Sequence, residues 1–180
     1  MDRIIVIGSS CSGKSSFASA LATKKKIKHI ELDELHWLPN WVERPDAQFR
    51  ELVQQAIDPA ALEENAWIID GNYSVTRDIT WPQATHIIWL NHSFSLVLYR
   101  SITRSIHRIL TKKALFAGNV ESFRQTFFSR DSIIWWVIKT FHKKRNSYEK
   151  VLNEQAKSGV KVVELKGQAQ VDAYLLEVGK

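Results

Sequence analysis

The sequence predicts an α/β fold: a three-layer α/β/α sandwich on a five-stranded parallel sheet, with a helical lid. Three observations carry this expectation. Five apolar, β-branched runs alternate with segments of helical periodicity, as parallel strands and their crossover helices do. The first run leads into Gly8-Ser9-Ser10-Cys11-Ser12-Gly13-Lys14-Ser15, which matches G-x-x-x-x-G-K-[ST] at every fixed position and marks the P-loop NTPase fold when strand, loop and helix follow in that order. Two later runs end at carboxylates, Asp33 and Asp70, on the side of an open parallel sheet where ligands collect.

The bulk properties bound the reading. A chain of 180 residues suits one domain, 1–180, with a substantial core. A net charge of +6 favours anionic partners, whether nucleotides, nucleic acid or an acidic surface. One cysteine excludes an internal disulfide framework, Met1 is followed almost at once by a core strand, and no apolar run approaches the roughly 20 residues that span a bilayer. A cytoplasmic protein without a transmembrane segment is expected.

Arg3 to Ile7 reads as a strand buried on both faces, and Ser16 to Ala22 continues a helix behind the loop. Between them, Gly8 and Gly13 let successive N–H groups of Ser9, Ser10, Cys11 and Ser12 turn inward around an anion. Lys14 adds a positive charge for the β and γ phosphates, Ser15 offers a hydroxyl to Mg²⁺, and the helix N-terminus at Ser16 points its dipole at the same place. The expected cofactors are therefore ATP and Mg²⁺. Cys11 lies where a helix N-terminus can lower a thiol pKa, but a small side chain filling a variable loop position is the preferred account.

His29 to Leu32 reads as the second strand, with Asp33 at its end beside the phosphate loop. Leu35 to Trp41 is too rich in aromatic, Pro and Asn residues for a regular element; His36, Trp37 and Asn40 are candidates to hold an acceptor, with core packing the alternative. Pro45 opens a helix whose Phe49, Leu52, Val53, Ala56 and Ile57 share a face. A short helical piece, Pro59 to Asn65, precedes a third strand, Trp67-Ile68-Ile69. That strand ends in Asp70-Gly71-Asn72-Tyr73. An apolar strand ending in Asp has the character of a Walker B element, so Asp70 is expected to hold Mg²⁺ through water; Gly71, Asn72 and Arg77 are placed on the acceptor side.

Thr85 to Leu90 supplies the fourth strand, and a helix runs from Ser93 to about Lys113. Arg100, Arg104 and Arg108 recur on it every four residues, within about 12 Å along one face. No Asp or Glu occurs between Asp78 and Glu121, so this ridge is expected to await an anion, and Arg104 and Arg108 are assigned to the transferring phosphoryl group. A lid is expected at about 109–131, hinged at Ala117-Gly118-Asn119 and carrying Arg124 and Arg130. A long helix from about Ser132 to Lys157, a fifth strand from Val160 to Leu165, and a closing helix from Val171 to about Val178 complete the chain.

This order of elements resembles the adenylate-kinase-like group of small P-loop kinases, with Asp70-Gly71 similar to the pair that begins the group's third-strand motif. Asn72-Tyr73 stands where adenylate kinases proper carry Phe-Pro. More closely, Leu32-Asp33-Glu34-Leu35-His36-Trp37, Pro39-Asn40-Trp41, Ile69-Asp70-Gly71-Asn72-Tyr73, Arg77-Asp78-Ile79 and Trp81-Pro82 resemble the bacterial DNA topology modulation proteins, over about residues 1 to 150. The resemblance implies that adenine lies against the loop at Lys166 and Gly167. The leading expectation is transfer of the ATP γ-phosphoryl group to a nucleoside, nucleotide or small hydroxylated metabolite, with Lys14, Asp33, Arg104 and Arg108 catalytic; Asp33 takes the proton of a hydroxyl acceptor or, for a phosphate acceptor, serves the magnesium shell. The alternative is a nucleotide-regulated DNA-binding protein affecting DNA topology, for which no DNA-reading motif is present.

Overall fold

The structure, a computed structural model, describes residues 2–61, 65–122 and 132–178. Its strands are β1 (Arg3–Gly8), β2 (Lys28–Glu31), β3 (Trp37–Leu38), β4 (Val42–Glu43), β5 (Trp67–Asp70), β6 (His86–Leu90) and β7 (Lys161–Leu165). Its α-helices are α1 (Lys14–Lys25), α2 (Leu32–His36), α3 (Asp46–Ala56), α4 (Arg77–Thr80), α5 (Phe94–Thr111), α6 (Ile133–Lys157) and α7 (Gln168–Val178). The main sheet is parallel throughout, in the order β2-β5-β1-β6-β7, and β3 pairs antiparallel with β4 as a separate hairpin.

The continuous apolar runs follow from burial on both faces, because alternate side chains enter different cores. Ile5, Ile7, Ile69, Ile87 and Trp89 point to one side, where they meet Leu32, Phe49 and Val53 and the α6 residues Tyr148 and Leu152. Ile4, Val6, Ile68, Ile88 and Leu90 point to the other and meet Phe17, Ala18 and Leu21 of α1 and Val171 of α7. The result is the predicted three-layer α/β/α arrangement. Register then sets the site: Val6 lies beside Asp70 and Gly8 beside Leu90, so the carboxylate that ends β5 stands next to the mouth of the phosphate loop.

Several local expectations are corrected. β2 ends at Glu31, so Asp33 does not terminate a strand; it lies in the first turn of α2. The segment 35–41 is more regular than its composition suggests, because its aromatic rings pack against one another. It contains the end of α2, then β3, then a tight turn in which Asn40 (φ 64°) and Trp41 (φ 57°) are left-handed. Of the expected Pro59–Asn65 piece, Pro59–Ala61 and Asn65 are helical and 62–64 lie outside the described residues. The expected hinge, Ala117-Gly118-Asn119, lies in a turn in which Ala117 (φ 53°) and Gly118 (φ 77°) have positive torsions. The expected lid residues Arg124 and Arg130 lie outside the described residues. Among the described residues, no helix is long and apolar enough to cross a membrane.

Candidate nucleotide and acceptor site

The phosphate loop closes on itself by contacts that its residue types dictate. A Cβ on Gly8 would stand 2.6 Å from Ser12 Oγ and 2.8 Å from the Leu90 carbonyl, so only glycine lets the loop leave β1 this tightly. Lys14, the first residue of α1, folds back so that Nζ donates to the Ser9 carbonyl at 3.0 Å. Burial pulls its ammonium pKa down, and the nearby Asp33 and Asp70 charges oppose that pull. Cys11 lines the loop at 8 % exposure, and burial raises its thiol pKa above the ordinary value even though Arg104 and Lys14 favour the thiolate. Desolvation outweighs the neighbouring cations.

On the second side of the loop, Ser15 Oγ donates to Asp70 Oδ2 at 2.6 Å, and His29 Nε2 meets Asp70 Oδ1 at 2.7 Å. Asp70 is 2 % exposed. Burial lowers the His29 pKa, but the hydrogen bond and charge of Asp70 outweigh it and raise the value. Glu31 stands within reach of the same hydroxyl, its pKa raised by burial. A hydroxyl and carboxylates are hard oxygen donors of the kind Mg²⁺ accepts alongside water and phosphate oxygens, so these residues fit that ion. Among the described residues, no group of three or more His, Cys, Asp or Glu side chains is arranged to hold a metal alone.

Facing Lys14 across the loop, Asp33 Oδ1 accepts a hydrogen bond of 2.5 Å from the Tyr73 hydroxyl. Asn72 Nδ2 donates to the Gly8 carbonyl at 2.5 Å, which ties the exit of β5 to the start of the phosphate loop. The close approach at Gly71 is to protein: a Cβ there would lie 2.7 Å from Leu32 Cβ. Arg77 lies with its guanidinium 4.9 Å from the Trp81 ring centroid and lines a cavity with Asn72, Tyr73 and Trp81.

The other acceptor candidates divide. His36 is 6 % exposed and packs among Trp37, Phe49 and Tyr73 at 4.4 to 5.0 Å, with burial lowering its pKa. It orients Tyr73 from behind. Trp37 stacks edge-on with Trp41 at 5.5 Å, and Asn40 is exposed at the tip of the hairpin. Neither is brought against Asp33 by any hydrogen bond.

The arginine ridge of α5 is not bare. Arg100 donates to the Ser12 carbonyl at 3.1 Å and to Gln168 Oε1 at 2.6 Å, bracing the loop against the start of α7. Arg108 pairs with Glu121 at 2.7 Å, the first acidic residue after the long gap, which chain folding brings back to it. Arg104 is left with a buried Nε that has no hydrogen-bond partner among the described residues. The loop at Lys166 and Gly167 is held by Gly167 N donating to the buried His92 Nδ1 at 3.1 Å, and Lys166 Nζ lies 3.2 Å from Glu164. Tyr73, His29 and His92 were not among the residues singled out from sequence; the only signal was the position of Tyr73 directly after Asp-Gly-Asn.

No protein-family model matches the chain, and no curated protein matches it. Solved structures do. A shikimate kinase from Bacteroides thetaiotaomicron superposes with a TM-score of 0.51 at 18% identity, covering 98% of this chain and 95% of the other. A gluconokinase from Sinorhizobium meliloti 1021 gives 0.51 at 17% identity, over 99% and 93%. Near-complete coverage of both chains shows that the chain shares the fold of these two kinases.

Proposed function

We propose that the chain is an ATP-dependent phosphotransferase that moves the γ-phosphoryl group to a hydroxyl of a small molecule. The observation that carries this reading is the pairing of a complete phosphate loop with a carboxylate, Asp33, that Tyr73 fixes opposite Lys14. The kinase names borne by the two structural neighbours support it. No observation favours the DNA-binding alternative.

The loop N–H groups and Lys14 would grip the β and γ phosphates, Lys14 exchanging the Ser9 carbonyl for a phosphate oxygen. Ser15, with Asp70 and Glu31 through water, would hold Mg²⁺, which when bound neutralises charge on those phosphates. Adenine would lie along Lys166 and Gly167. With Tyr73 holding Oδ1, Asp33 Oδ2 takes the proton as the acceptor oxygen bonds to the γ phosphorus and the bond to the bridging oxygen breaks, releasing ADP. Arg104, whose buried Nε lacks a partner, answers the charge that spreads over the transferring group. Arg108 is shared with Glu121 and would be released to the nucleotide only when that pair opens.

The test is ADP release that depends on an added acceptor. Lys14→Ala should lower turnover at least about a hundredfold; unchanged ATP affinity together with unchanged turnover would remove the central claim.

A further inference from the structure

α6 carries one buried stripe: Val137 and Phe141 pack with Cys11 and Val97, and Tyr148 and Leu152 join the core on one face of the sheet. Residues at this three- and four-residue spacing share a helix face, and the position that completes the stripe between Phe141 and Tyr148 is Lys144. Its ammonium lies 4.8 Å from the Trp136 ring centroid, it is half-buried, and it makes no ion pair among the described residues. Burial first, then the charges of Lys14 and Arg77, hold its pKa below the ordinary lysine value. A lysine among core positions surrounded by other cations costs stability unless an anion meets it.

Arg77 is in the same condition. It stands over Trp81, lines the acceptor-side cavity, and its guanidinium has neither a carboxylate partner nor a hydrogen bond among the described residues. Trp81 and Tyr148 belong to one core cluster, and Tyr148 is one turn beyond Lys144. Arg77 and Lys144 thus flank one core cluster, near enough for the charge of Arg77 to act on Lys144. Aromatic faces hold both cations in place without neutralising them. The donor phosphates already have the loop amides, Lys14 and Arg104.

We propose that Arg77 and Lys144 bind an anionic group carried by the acceptor itself, a carboxylate or a phosphate, at a point apart from the hydroxyl that Asp33 receives. The acceptors are then small hydroxylated acids or phosphate esters, in preference to neutral polyols or nucleosides. The planar fork of Arg77 suits two oxygens of one oxyanion, and Lys144 adds a point charge that reaches it from the other side. The inference deepens the phosphotransferase reading of this pocket and rests on it.

Matched probes test it. Binding is measured by calorimetry at pH 7.5, with a non-hydrolysable ATP analogue present, for gluconate against glucose, glycerate against glycerol, and AMP against adenosine. At least one anionic member should bind about tenfold or more tightly than its neutral twin. That preference should vanish in Lys144→Met and Arg77→Met and persist in Lys144→Arg, each variant first shown to melt cooperatively. Equal affinity within every pair overturns the proposal, as does a preference that survives in Arg77→Met and in whichever charge-removing Lys144 variant folds. Acceptor-dependent ADP release is read on the same panel. Anion preference with no turnover would leave the anion site standing and remove the kinase reading; turnover of neutral acceptors without preference would do the reverse.

Discussion

Asp33 shows how much a single contact decides. Its position near the phosphate loop was legible because local sequence fixes it, two residues past a short strand. Its orientation was not, because that depends on Tyr73, forty residues away in the chain, whose hydroxyl fixes Oδ1 at 2.5 Å. Hydrogen bonds to a charged group are worth about 1.5–3 kcal/mol, so Tyr73→Phe should lower kcat roughly ten- to a hundredfold with little change in ATP affinity. Steady-state kinetics with ATP and acceptor varied separately would expose a contrary result. Asp33→Asn should lower kcat by a factor of about 10² to 10⁴ if the carboxylate takes the proton; turnover near wild type in that variant removes the base. Gly71 belongs at this scale too. Alanine there would meet Leu32 Cβ at 2.7 Å on a backbone with φ 141°, so Gly71→Ala should cost about 1–3 kcal/mol. An unshifted urea midpoint would show that the neighbour simply moves aside.

At the level of elements, the strands and long helices were readable because their patterns are periodic, and the ridge on α5 was found by the same arithmetic. What arithmetic omits is the partner that arrives from elsewhere. Glu121 returns to Arg108, and Gln168 and Ser12 occupy Arg100. The 37–43 hairpin was missed because its paired segments are two residues each, held less by strand propensity than by Asn119. That buried side chain accepts from Trp41 N at 2.9 Å and donates to the carbonyls of Leu38 and Phe116 at 2.9 and 2.8 Å. Asn119 therefore fastens the root of the expected lid to the hairpin beside the acceptor side. Asn119→Ala leaves those backbone groups unpaired at about 1–3 kcal/mol for each one that water does not reach. Proteolysis within 112–122 should accelerate, and the acceptor KM should rise while ATP affinity holds. Unchanged cleavage would mean that the two segments stay together without it.

For the molecule as a whole, the layered architecture was legible from the alternation of buried runs and helices, whereas the strand order was not, since nothing local encodes which neighbour a buried strand selects. Its stability should depend on pH through histidines. Burial lowers the pKa values of His36, His86 and His92, so the folded state disfavours their protonation, and the stability they contribute above about pH 6.5 is lost as the pH falls below it. His29, raised by Asp70, acts in the opposite sense: its contribution is complete below about pH 6.5 and fades as the pH rises through its folded value. Three against one predicts a lower melting temperature at pH 5.5 than at pH 7.5. His92→Asn should flatten the slope, because its Nδ1 must stay unprotonated to accept from Gly167; a level profile for the parent protein would contradict this. The sheet order carries one more consequence, for synthesis. β1 leaves the ribosome before every other strand, yet it is the central one, and both of its hydrogen-bonded neighbours, β5 and β6, follow more than fifty residues later. Until about residue 70 has emerged, the phosphate loop hangs from an unpaired apolar strand that a chaperone can grasp, and its second neighbour follows only at about residue 90.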